Sequence, residues 1–85
     1  MSNDEFVKHL TESLKDELHD VIKYAEMSKK MHTGGYAQMF RDMAHEEHQH
    51  AHHIKDIISD MDVVLPNWDE INVLIDKADK ALKVM

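Results

Sequence analysis

The sequence contains no cysteine, which removes a disulfide framework and a zinc ribbon from consideration. One proline and two glycines in 85 residues leave too few turn-formers for a many-stranded β fold. No apolar run approaches the ~18–20 residues that cross a bilayer. The opening Met1-Ser2-Asn3-Asp4-Glu5 lacks the basic and apolar regions of a signal peptide, so a cytoplasmic protein is expected. Basic residues are scarce: 10 Lys and Arg stand against 17 Asp and Glu, a formal charge of −7. That balance argues against nucleic acid or an anionic membrane as partner. What remains is 42 % hydrophobic and 32 % charged, ordinary globular material rather than a disordered tail. It carries eight histidines in a chain of marginal length for a core of its own.

Breakers occur at two places, Thr33-Gly34-Gly35 and Leu65-Pro66-Asn67. They predict three helices at about 3–32, 36–61 and 68–84, within a single domain 1–85. Ser2 with Glu5, and Asn67 with Glu70, have the spacing of a capping box. Gly34 suits a left-handed residue ending the first helix. In the first helix Val7, Leu10, Leu14, Glu17, Val21, Tyr24, Ser28 and Met31 recur at alternating gaps of three and four. In the second, Tyr36, Phe40, Met43, Glu47, His50, Ile54, Ile57 and Met61 do the same. These are heptad seams, and a short turn between two such helices implies an antiparallel αα-hairpin. The third segment has an apolar stripe of Trp68, Ile71, Leu74, Ile75, Ala78 and Leu82, which reads as a packing or assembly helix.

Three seam positions do not suit an apolar core: Glu17, Glu47 and His50. A carboxylate buried without a partner costs several kcal/mol (about the cost of an unmade charged hydrogen bond) or becomes neutral. Any one of them could reach solvent or simply pair. The three together point to a built site. Glu47 and His50 sit one turn apart on one helix face. Glu17 lies seventeen residues before Gly34 and Glu47 thirteen after it, so a hairpin folded there sets both carboxylates at similar depth. The set is half of the di-iron arrangement of four-helix bundles, where two helices each give a Glu and two each give a Glu-x-x-His pair. Two-fold doubling yields four carboxylates and two imidazoles. It also completes a bundle that one hairpin cannot form.

The stretch Glu46-Glu47-His48-Gln49-His50-Ala51 resembles the Glu-Glu-x-x-His-Ala signature of ferritins and rubrerythrins. Glu17 followed by Tyr24 resembles the Glu-then-Tyr spacing of the first ferritin helix. The thirty-residue separation of Glu17 from Glu47 looks closest to the encapsulated ferritins, which are short, dimerise through the metal site and carry a third helix. The resemblance implies an all-α, ferritin-like half-bundle completed by a homodimer or a higher oligomer. It implies ferroxidase chemistry: two iron ions per dimer, entering as Fe(II), reacting with dioxygen or peroxide and leaving as Fe(III). In that scheme Glu47 bridges the metals, Glu17 and His50 are terminal ligands, and Tyr24 hydrogen-bonds a ligand carboxylate. His50 must be neutral to ligate, so binding is expected to weaken as pH falls toward ~6. An encapsulin shell is the implied partner, although a docking peptide beyond the third helix is not seen before Lys83-Val84-Met85. A rubredoxin-type iron needs cysteine, so any peroxidase cycle here draws on an external reductant.

Carboxylate and imidazole also accept manganese and zinc. A non-oxidising metal buffer or sensor is therefore the alternative, followed by a helical interaction protein without chemistry. Of the remaining histidines, His45, His48 and His52 share a face expected to lie opposite His50, as a solvated surface or a minor metal site. Glu46 and His53 flank the seam, at a contact between dimers or on an iron entry path. His9, His19 and His32 show no partner pattern. Asp16 and Asp20 beside Glu17 would draw cations in, or are plain helix surface.

Overall fold

A computed structural model describes residues 3–31, 34–63, 65 and 67–85. They form three helices, α1 (Asn3–Lys30), α2 (Gly34–Asp60) and α3 (Trp68–Lys83), with no strand among the described residues. Among the described residues no helix is long and apolar enough to cross a membrane. Ser2, His32, Thr33 and Pro66 lie outside the described residues, and with them the first capping box and the expected last residue of α1.

α1 and α2 run antiparallel along most of their length. Tyr24 meets Phe40 near one end, and Glu17 meets Glu47 and His50 further along. The α1 seam is half the predicted one: Leu14, Val21 and Ser28 are buried as expected, whereas Thr11, Leu18 and Ala25 are buried in place of Leu10, Glu17 and Tyr24, each one residue further along. Its two buried hydroxyls are satisfied within the helix, Thr11 Oγ1 donating to the Val7 carbonyl at 2.8 Å and Ser28 Oγ to the Ala25 carbonyl at 2.7 Å.

The α2 seam differs from the predicted one. The buried heptad is Ala37, Ala44, Ala51 and Ile58, one residue further along than Tyr36, Met43, His50 and Ile57. Alanine has no side-chain bulk beyond Cβ, so an alanine ladder lets the backbones of α1 and α2 approach closely. The larger neighbours are displaced by about 100° around the helix, to its outer edge. Tyr36 is left 59 % exposed, Met39 56 %, Ile57 44 % and, across on α1, Met27 40 %.

The helix ends also depart from expectation. Gly34 has no positive φ and is the first residue of α2 rather than a left-handed stop to α1. The left-handed residue is Asp62, φ 52°, just beyond α2. There the Asp62 amide donates to the Ser59 carbonyl at 3.3 Å, and aspartate tolerates this conformation better than most residues. Asn67 stands at the cap of α3 but makes no side-chain capping hydrogen bond. Its φ of −110° and ψ of 28° lie outside the extended region a capping side chain needs. Glu70 instead reaches Lys15 of α1 at 3.3 Å.

α3 packs chiefly on α1 and only lightly on α2. It buries Ile71, Leu74 and Ala78, with Trp68, Ile75 and Leu82 packed alongside, the stripe read from the sequence. With Leu14, Leu18, Val21, Ala51, Ile58 and Leu65 these residues form one core. The whole measures 47 × 23 × 16 Å, a flat slab two helices wide with α3 laid on one side. The opposite side of the hairpin keeps its apolar edge uncovered.

Candidate metal centre

The antiparallel pairing brings Glu17, Glu47 and His50 together midway along the hairpin. Each offers a ligand atom, and these atoms lie within 4.8 Å of one another. His50 Nδ1 is 3.6 Å from Glu17 Oε2 and 3.7 Å from Glu47 Oε1. The two carboxylates are mostly covered, their side chains 26 % and 22 % exposed, whereas the His50 side chain is 56 % exposed and faces outward. The cause is the shift of the α2 seam. Glu47 lies between the alanine ladder and the outer edge, and His50 lies on that edge.

Electrostatically the pair is unfinished. Ionised carboxylates cannot donate to each other, and Glu17 Oε2 is buried with no hydrogen-bond partner among the described residues. The Glu47 carboxyl is pushed up to about 7, first by a hydrogen bond to Glu17, then by its own burial and by the Glu17 charge. His50 works in the opposite direction. A proton shared between the carboxylates relieves the repulsion, and so does a cation. Two oxygens and one imidazole nitrogen converging from two helices suit iron or manganese. The orphaned oxygen supplies a lone pair already aimed into the cluster.

Within one chain Tyr24 makes no hydrogen bond to Glu17 or Glu47 among the described residues. Its ring stacks on Phe40 with centroids 6.2 Å apart, and Lys23 Nζ lies 4.9 Å above it. Its hydroxyl makes no hydrogen bond among the described residues. The separation of seven residues from Glu17 is two helical turns, about 10 Å along the axis, and α2 presents Phe40 rather than Glu47 at that level. Asp20, one turn from Glu17, pairs with Lys23 at 3.2 Å. His9, His19, His45, Glu46 and His53 are exposed.

Of the two readings of the His48 face, the solvated surface does not hold at His48. α3 covers the side chain, and its Nε2 lies 2.8 Å from Asp79 Oδ1. No spacing rule links residues 48 and 79, so only the placement of α3 reveals the pair.

A helical hairpin that sets one glutamate against a Glu-x-x-His pair defines a half-site of the ferritin-like di-iron class. Consistent with that class, the chain belongs to the Rubrerythrin family, whose model matches residues 8–80. Curated proteins and solved structures give no significant match to the chain.

Proposed function

We propose that two copies of this chain join their half-sites into one di-iron centre that oxidises Fe(II) with dioxygen or peroxide, in iron storage or detoxification. The observation that carries this reading is the convergence of Glu17, Glu47 and His50 beside an uncovered apolar edge. One chain supplies two carboxylates and one imidazole, too few for two iron ions. The stripe Tyr36, Met43, His50 and Ile57, exposed except for the half-buried Met43, repeats every seven residues and contains the ligand histidine. Pairing along that stripe would bury the apolar edge and bring the second ligand set to the first. Membership of the family supports the di-iron reading, and the exposed residues support the homodimer.

Iron is the substrate in this scheme. Two Fe(II) give up two electrons in total, which with two protons reduce dioxygen to hydrogen peroxide, or peroxide to two waters. The chain's own groups have defined tasks. Glu47 keeps its proton up to about pH 7 and releases it when a cation replaces that proton between the carboxylates. Glu17 offers the orphaned Oε2, and His50 offers Nδ1 once neutral. The acidic surface, with a net charge of −7, favours the approach of cations.

The test is aerobic Fe(II) oxidation by the purified protein, with Glu47→Ala as control. The wild type is expected to oxidise iron well above the buffer rate and the variant close to it. Equal rates would leave a non-oxidising buffer or sensor, which uses the same ligands, as the reading to pursue.

A further inference from the structure

We infer that His48, His52 and Asp79 form a second metal site, separate from the Glu17–Glu47–His50 cluster, that takes a divalent ion of the zinc class and fastens α3 to α2. The three side chains offer ligand atoms within 4.8 Å of one another. His48 and His52 are one turn apart on α2, with ring centroids 4.5 Å apart and edge to face. Asp79 comes from α3, and its Oδ1 meets His48 Nε2 at 2.8 Å. Ligands of a tetrahedral zinc ion, each roughly 2.0–2.1 Å from it, stand about 3.3 Å apart. An ion entering here replaces the hydrogen between His48 and Asp79, and the pair opens by about half an ångström.

The surroundings suit an ion held at the edge of the core. His48 is mostly covered, its side chain 23 % exposed. Leu14, Leu18, Ala51 and Ile75 line the same narrow cleft as the two histidines, with a volume of about 10 Å³. That is roughly the space of one water molecule, so the cleft beside the two histidines is small and mostly apolar-walled. Lys55 also lines the cleft and is the one cation there among the described residues. On α3, Lys80 is engaged by Asp76 at 2.9 Å and does not compete for Asp79. His45, a turn before His48, is exposed and stands outside the cluster.

The two clusters differ in chemistry. Glu17, Glu47 and His50 give mostly oxygen, the preference of iron and manganese. His48, His52 and Asp79 give mostly imidazole nitrogen, which suits zinc, cobalt, nickel and copper. They also differ in task. α3 rests chiefly on α1 and only lightly on α2, so a bond across the α2–α3 seam adds to the weaker of its two contacts. A site formed only in the folded chain stabilises that fold when filled.

The experiment uses chelator-treated full-length protein with Zn(II) or Co(II) added, in the wild type, Glu47→Ala, His52→Ala and Asp79→Ala. His52 is exposed, so His52→Ala is expected to keep its helicity even if Asp79→Ala does not. Zn(II) should raise the melting temperature of the wild type and of Glu47→Ala alike. Its affinity should fall at least about tenfold in His52→Ala. Co(II) should give the visible absorbance of a four-coordinate ion in the first two proteins and lose it in His52→Ala. Undiminished Zn(II) binding in folded His52→Ala would overturn the inference. So would loss of Zn(II) binding in Glu47→Ala, which would put the ion at the other cluster.

Discussion

Replacing Glu47 with glutamine should make the metal-free protein more stable at pH 8 and leave it unchanged near pH 4.5. The Glu17–Glu47 contact raises the Glu47 carboxyl from 4.5 to about 7. Below about 4.5 the group is protonated in the folded and the unfolded chain, and it contributes no penalty. Between 4.5 and about 7 the folded chain holds a proton that the unfolded chain has released, so stability falls as pH rises. Above that window the penalty is complete. The shift corresponds to a ceiling of about 3 kcal/mol. Partial exposure and side-chain relaxation reduce the expected effect to roughly 1–2 kcal/mol. Glutamine is isosteric, carries no charge and can donate to Glu17 Oε2, so it removes both the repulsion and the orphaned acceptor. Urea unfolding followed by helical circular dichroism, in chelator and at one protein concentration, measures the gap. It should open from nothing at pH 4.5 to a plateau above pH 7. Anaerobic Mn(II) or Fe(II) should then reverse the order. Only the wild type should gain, by about 2.7 kcal/mol at a hundred times Kd. A variant less stable than wild type at pH 8, or a gap that ignores pH, would refute this account of the carboxylate pair.

Other outcomes follow from the packing. Leu14 is fully buried where α1 meets α2 and α3, so Leu14→Ala should cost about 3–5 kcal/mol of unfolding free energy, whereas Val73→Ala, on the exposed side of α3, should cost less than about 0.5 kcal/mol. A Leu14→Ala loss below about 1 kcal/mol in urea titration would mean that the core lies elsewhere. Ile57 is 44 % exposed on the uncovered edge, so Ile57→Glu should leave helicity intact while sedimentation shifts from dimer to monomer and iron oxidation falls with it. A variant that sediments as a dimer and oxidises iron at the wild-type rate would remove that edge from the interface.

The three helices were legible because breakers are few and the gaps of three and four are regular. The α3 stripe was read position for position, since each of its apolar residues faces the core. The meeting of Glu17 with Glu47 and His50 was legible as arithmetic: equal depth on either side of one turn needs only the helical rise. The α2 seam was not. Hydrophobicity ranks Tyr36, Met43 and Ile57 above Ala37, Ala44 and Ala51, yet close helix approach needs the small residues inside. The larger ones are then left for whatever packs outside. The stop of α2 at Asp62 was hidden because aspartate in a left-handed conformation carries no sequence mark as plain as glycine. His48 with Asp79 was hidden for a different reason. The pair exists only through the docking of α3, a long-range event with no local pattern.

The central claim is a di-iron centre shared across a two-fold axis by Glu17, Glu47 and His50. A crystal structure of the protein loaded with Fe(II) under anaerobic conditions tests it most directly. The expected result is two ions related by a two-fold axis between two chains, with Glu17, Glu47 and His50 of both chains as ligands. A single ion held within one chain, or a two-fold axis that leaves these residues apart, would contradict it.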